Sequence, residues 1–271
     1  MSPLKKPDTI HKKAAGDWSE KQTRLSTPDF ECSARTHIGY IRSSNQDRYV
    51  MRAFPDGSAL LVIADGLGGD GAGDLASETI RARIAGLNAI PSGQETQTLT
   101  ALALALDESI CRAGKDAEDL HGMGSTLIMA LVRENRVFWV HIGDSRLYLF
   151  QHSRLIRITT DQTLVRFLIA ENALSPEEAP HHYSRHVMDQ YVGCGFCEPE
   201  SGSFAIVSGD WIVLMSDGVY RYLSEAALTA IFEKPDGPDH KCRNIIQAVL
   251  AGGGKDNLTI LAFHRRQEHT T

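Results

Sequence analysis

The stretch from Thr126 to Thr160, TLIMALVRENRVFWVHIGDSRLYLFQHSRLIRITT, decides how the chain is read. It divides into "TLIMALV", "VFWVHIGD", "RLYLFQ" and "LIRITT", four runs rich in β-branched and aromatic residues with a few turn-forming residues between them. Parallel neighbours need a crossover of about a dozen residues or more, so strands this closely spaced are expected to form antiparallel meanders.

Towards the N-terminus, "DRYVMRAF" and "SALLVIAD" read as two further strands joined by a turn at Pro55-Asp56-Gly57. Residues Asp74 to Leu87 fit a helix with Leu75, Ile80, Ile84 and Leu87 along one side. A second helix, ending near Gly114, is marked by Leu99, Leu102, Leu106 and Ile110. Towards the C-terminus, "WIVLMSDG" and "LTILAFH" are strands, and "EAALTAIF" and "HKCRNIIQAVLAGG" are helices, the latter stopped by its glycines. The segment from Asp161 to about Arg185 reads as helical but irregular, interrupted at Pro176 and Pro180. Meandering strands with helices gathered before and after them predict an α+β layered domain in place of a βαβ wrap. Residues 1–27 are polar and aperiodic and read as a flexible extension, with one domain over residues 28–271.

Composition narrows the function classes. The 271 residues carry 28 Lys and Arg against 34 Asp and Glu, a net charge of −6 that speaks against non-specific nucleic-acid binding and a polybasic membrane surface. No apolar stretch approaches the ~20 residues that span a bilayer, and the first residues lack the apolar run of a secretory signal. Five cysteines, an odd and scattered set, fit free thiols in a reducing cytoplasm better than a disulfide framework.

The chemistry lies in a recurring pattern, an apolar strand followed by an aspartate. It appears as "LLVIADG" at Asp65, "FWVHIGDS" at Asp144 and "WIVLMSDG" at Asp217, and "GGKDNLTILAF" sets Asp256 just before a strand. One such residue would be a turn or cap. Four, far apart in sequence, converge if their strands lie side by side, and their repulsion then calls for cations. No His or Cys stands beside them at ligand spacing, so the donor set is oxygen only, suited to Mg²⁺ or Mn²⁺ and not to zinc. In "IRSSNQDRYV", Arg42 and Asp47 flank a polar turn entering a strand. An arginine beside two cations suits phosphate recognition, and cations sharing a carboxylate can activate water for in-line attack on phosphorus. Arg42 is equally compatible with a surface salt bridge.

Taken in order, "RSSNQD", "ADGLGGDGAGDLAS", "GMGSTL", "GDSRLY", "TTDQTL", "GDWIVLMSDGVY" and "GGKDNLTIL" resemble the metal-dependent Ser/Thr protein phosphatases of type 2C in their compact bacterial form, from about Ala34 to Phe263. The resemblance implies a four-layer α/β/β/α sandwich with two central antiparallel sheets. It implies that Asp65 bridges two core ions of Mn²⁺ or Mg²⁺, with the Gly66 carbonyl on one of them. Asp217 and Asp256 would complete the other ion's site, Asp47 would act through water, and Asp144 with Asp217 would hold a weaker third ion. Arg42 would bind the substrate phosphate, and Asp161 to about Gly193 would form a flap beside the site. The catalytic set would thus be Arg42, Asp65 and Asp217. The implied partners are a phosphorylated protein and an opposing Ser/Thr kinase in bacterial signalling, with a monomeric enzyme and neither nucleic acid nor membrane. Departures from the family pattern are Leu67, where His or Met is usual, Gln46 for Glu, Asp70 for a frequent His, Gln162 for a common His, and Ser125 for Thr.

Other signals read more simply. "CGFC", Cys194 to Cys197, has dithiol spacing but sits in a loop signature without a second pair for zinc. His141, Trp139 and Trp211 read as core, and "HHYSRH" as a solvated loop. Two other functions stay in view: a non-catalytic phosphatase-like module that binds phosphoproteins, which would be expected to have lost one of Asp65, Asp217 and Asp256, and a thiol oxidoreductase working through Cys194 and Cys197.

Overall fold

The computed structural model describes residues 19–266, except 70, 118, 119, 121 and 186. Residues 1–18, Asp70 and His186 therefore lie outside the described residues. Two antiparallel sheets lie face to face. One has the order β1 (Glu20–Ser26), β2 (Phe30–His37), β12 (Leu258–Arg265), β11 (Trp211–Met215), β8 (Arg146–Gln151), β9 (Arg154–Arg157). The other runs β10 (Glu200–Ala205), β7 (Arg136–Ile142), β6 (Leu127–Arg133), β4 (Ala59–Leu67), β3 (Asp47–Ala53), with the short β5 (Gly124–Ser125) also on β4. Helices α1 (Ala72–Ala85) and α2 (Glu95–Asp116) cover the second sheet; α5 (Glu225–Phe232) and α6 (Pro238–Ala251) cover the first. The α+β four-layer sandwich is the observed fold.

Strand alternation builds three apolar layers. On β4, Leu60, Val62 and Ala64 face α1 and α2, while Ala59, Leu61 and Ile63 face the other sheet. On β12, Leu261 and Phe263 point between the sheets and Leu258, Ile260 and Ala262 point to α6. The same alternation decides where the polar residues fall. Asp65 continues the Ala59-Leu61-Ile63 face, Asp47 continues that of Tyr49, and Thr259 that of Leu261. One end of the inter-sheet layer is therefore polar by register alone.

Three expectations are corrected. The flexible extension to residue 27 does not hold over Glu20–Ser26, which pair along their length with β2 as an edge strand. Its Gln22 and Arg24 side chains reach Asp239 of α6, at 2.9 and 2.6 Å. The four-strand meander is also broken: β6 pairs with β7 in one sheet and β8 with β9 in the other. The chain changes sheets at Gly143, whose φ of 103° is open to glycine at little cost, and Asp144 sits on that crossover. Finally, the segment from Asp161 to Arg185 holds one helix, α3 (Leu164–Ala170), and a single 3-10 turn at Ala179–His181; the rest is irregular. Among the described residues, no helix is long and apolar enough to cross a membrane.

Candidate metal centre

Backbone register brings the first two carboxylates together. Asp47 opens β3 and pairs directly with Asp65 on β4. Asp65 stands two residues short of the strand end. Its amide donates to Thr126 Oγ1 at 3.0 Å, and its carbonyl accepts from the Thr126 amide and from Ser125 Oγ at 2.8 and 3.0 Å. Asp47 is fully buried, and its Oδ2 accepts from Ser216 Oγ at 2.8 Å and Thr259 Oγ1 at 2.6 Å. Its Oδ1 is buried with no hydrogen-bond partner. An unsatisfied buried carboxylate oxygen is costly, so this atom points to a ligand.

The other carboxylates arrive from three junctions. Asp217 opens the single-turn helix α4 (Asp217–Tyr220) after β11, Asp256 precedes β12, and Asp144 lies on the crossover from β7 to β8. Together with Arg42, Gln46, Gly66, Leu67, Gly68, Met188, Arg221 and Asn257, Asp65 and these three line a polar cleft of about 210 Å³. Arg42 grips Asp256 with two bonds, Nε to Oδ1 at 2.8 Å and Nη2 to Oδ2 at 2.9 Å. Arg221 reaches Asp217 Oδ2 at 2.8 Å and Asp144 Oδ2 at 3.2 Å. Among the described residues no three acidic, His or Cys side chains form a ready cation cage; Arg221 stands between Asp144 and Asp217, and Arg42 covers Asp256.

Electrostatics show how closely the acids crowd. Burial, then the charges of Asp47, Asp217, Asp144 and Asp256, hold the Asp65 carboxyl well above the usual carboxylate range. Burial pushes Asp47 up to about 6, against the pull of its Thr259 and Ser216 hydrogen bonds. Burial and Asp144 push Asp217 up to about 7. Five carboxylates against two guanidinium groups leave a strong negative field, and all the donors are oxygen. That set, with the unpartnered Asp47 oxygen, fits hard divalent cations.

Two glycines are required by close approach. A side chain at Gly66 would strike the Gly73 carbonyl in the first turn of α1, and one at Gly218 would strike the Asn257 carbonyl. Several contributors are not evident from the motifs read in sequence. Asn257 donates to the carbonyls of Ile38 and Ser44 at 2.9 and 3.0 Å and accepts from the Gln46 amide at 2.8 Å. It thereby pins the loop that carries Arg42. Ser216 and Thr259 were readable from strand parity, and Arg221 from its helical i,i+4 spacing to Asp217, but only once the strands were paired. Gln162 accepts from the Gly143 amide at 2.8 Å and so braces the crossover at Asp144.

The sequence signals set aside behave as expected. Cys194 and Cys197 lie in a loop as free thiols. Burial pushes the Cys197 thiol up to about 12, which disfavours the reactive thiolate. His141 is fully buried between the sheets, 3.4 Å from Glu200, and is not among the residues that line the cleft. Trp139 and Trp211 are core residues.

Comparison with known proteins follows the same lines. The family description "Protein phosphatase 2C" matches residues 37–235. The chain is 34% identical over 230 residues to the serine/threonine protein phosphatase PstP of Mycobacterium tuberculosis, covering 84% of this chain but only 44% of that protein. It is 31% identical over 246 residues to the protein phosphatase PhpP of Streptococcus pneumoniae, covering 88% of this chain and 98% of that one. The crystal structure of the catalytic domain of PstP in complex with two manganese ions superposes with a TM-score of 0.77 at 32% identity, over 88% of this chain and 99% of that one.

Proposed function

This chain belongs to the protein phosphatase 2C family, and from that membership and the chemistry of its cleft we propose that it hydrolyses phosphoserine and phosphothreonine on proteins. The observation that carries the reading is the Asp47–Asp65 pair, two opposed carboxylates of which Asp65 lines a polar cleft together with Arg42 and Asp47 is buried with one oxygen unpartnered. The residues suited to hold two ions of Mn²⁺ or Mg²⁺ are Asp65, Asp217 and Asp256, with the Gly66 carbonyl and with Asp47 behind Asp65. Bound there, two such cations supply the acidity that makes water a nucleophile at neutral pH and the positive charge that phosphoryl oxygens need.

The chain's own residues do the rest. Arg42 is 54% exposed and already holds a carboxylate with both arms of its fork, the geometry a phosphate would take from it. Asn257 keeps that arginine over the cleft by fixing both ends of its loop. Ser216 and Thr259 orient Asp47 by occupying Oδ2 and leaving Oδ1 free. Thr126 and Ser125 fix the Asp65 backbone from both sides. In the reaction a water oxygen bonds to phosphorus as the bond to the Ser or Thr oxygen breaks; that oxygen takes a proton, giving inorganic phosphate and a free hydroxyl. The segment Asp161 to Gly193, which brings Met188 to the cleft, serves as the flap that meets the substrate protein. We place the enzyme in the cytoplasm as a monomer, opposite a Ser/Thr kinase.

Release of inorganic phosphate from a phosphothreonine peptide tests this directly. Turnover that needs Mn²⁺, stops with EDTA and is lost in Asp217→Asn supports it. A folded wild-type protein that binds Mn²⁺ without turnover overturns it in favour of a phosphoprotein-binding module.

A further inference from the structure

Arg42 and Arg221 both meet cleft carboxylates, but in different ways. Arg42 sits on one carboxylate and is 54% exposed, free to exchange its partner for a phosphate. Arg221 is 30% exposed and its Nη2 lies between two carboxylates, 2.8 Å from Asp217 and 3.2 Å from Asp144. The same Oδ2 of Asp144 also accepts from Tyr220 Oη at 3.1 Å, so that oxygen already has two donors. Tyr220 is itself held: Arg146 lies 3.5 Å over its ring and is fixed by two bonds to Asp161, at 2.9 and 2.6 Å. Asp144 is almost wholly buried, so its charge must be met from within the protein.

Counting charge sharpens the point. With every carboxyl ionised, as cation binding requires, the four aspartates that line the cleft and Asp47 beside Asp65 outnumber the two arginines by three charges, and two divalent cations supply four positive ones. That balance leaves a cleft attractive to a phosphate dianion. A third divalent cation beside Asp144 would have to strip a guanidinium from two carboxylates at once and would bring like charges together.

Resting on the metal-centre reading above, we propose that Arg221 takes the place of a cation between Asp144 and Asp217, so that the cleft loads two divalent cations and is closed to a third on its Asp144 side. Arg221 is in this sense a positioning residue that sets cation stoichiometry.

The test is equilibrium binding of Mn²⁺ to the full chain, read by the loss of the free-ion electron paramagnetic resonance signal, with no turnover required. The expected result is two Mn²⁺ per chain for wild type, three for Arg221→Gln, and a return to two for Arg221→Gln combined with Asp144→Asn. If circular dichroism shows Arg221→Gln to be unfolded, Arg221→Met, which keeps the length of the side chain, gives the same reading. Three Mn²⁺ in wild type, or two in a folded Arg221 variant, would overturn the inference while leaving the metal centre standing. No Mn²⁺ bound by wild type would overturn the metal centre itself, and the inference with it.

Discussion

Asp47 and Asp65 face each other directly across the antiparallel β3–β4 pair, two carboxylates on one face of neighbouring strands. Like charges opposed in this way destabilise a sheet. The fold tolerates the pair because Ser216 and Thr259 satisfy one oxygen of Asp47. We therefore expect Asp65→Asn to raise the melting temperature of the metal-free protein by a few degrees, on the order of 1 kcal/mol. The same variant should lose the stabilisation that Mn²⁺ gives wild type, about 2.7 kcal/mol at a hundred times the dissociation constant. Thermal melts with and without Mn²⁺ check both signs. A metal-free variant less stable than wild type would mean that the pair is not repulsive.

Gly218 lies against the Asn257 carbonyl, and a β-carbon there would collide with it. Because both atoms are backbone, neither can swing away. We expect Gly218→Ala to cost about 3 kcal/mol or more and to displace Asp217 and Asp256 together, with loss of turnover. Gly86→Ala, where the nearest atoms are 3.5 Å from the added carbon, is the control and should cost little. Urea unfolding of the two variants provides the comparison.

Asn257 makes three hydrogen bonds to the backbone of the loop that carries Arg42. Removing them in Asn257→Ala takes a partner from two carbonyls and an amide that are only partly buried, a cost of roughly 1–3 kcal/mol. With Arg42 no longer held over the cleft, KM for a phosphopeptide should rise more than kcat falls. Steady-state kinetics beside Arg42→Ala separates the effects: similar changes in the two variants support the link, and an unchanged KM in Asn257→Ala removes it.

Asp239 binds the edge strand to α6, accepting from Arg24, Arg35 and Arg243. Burial works to raise its carboxyl, but Arg35, by hydrogen bond and charge, and then Arg24 and Arg243 outweigh it and hold it below the usual range. A carboxylate depressed in the folded state contributes stability that is present above its unfolded value, near 4, and is lost as pH falls through the folded one. Asp239→Asn should thus be destabilising at pH 7 by about 1–3 kcal/mol, with the gap to wild type narrowing below about pH 4. Chemical denaturation at pH 7, 5 and 3 measures it. A gap that does not change with pH would show that the charge is not what matters.

Much of this protein was legible before folding was considered. Short apolar runs in "SALLVIAD" and "LTILAFH" and the 3.6-residue spacing of Leu99, Leu102, Leu106 and Ile110 located β4, β12 and α2, because apolar burial acts on local pattern. Aspartates at strand junctions stood out because carboxylates rarely follow apolar runs without a partner. The edge strand β1 did not stand out, since "EKQTRLS" has no apolar face and is held by pairing with β2 and by charges around Asp239. Strand β10, with "ESGSFA", was missed for the same reason.

What the chain's local pattern determined was which segments form strands and helices and which residue types meet oxygen-loving cations. Tertiary structure alone decided that the Thr126–Thr160 strands divide between two sheets, that Asp47 lies opposite Asp65, and that Arg221 lies between Asp144 and Asp217. The physical reason is range. Alternation and helical spacing are set by neighbours a few residues apart, whereas register and ion pairing join residues far apart in the chain and exist only once the sheets have stacked.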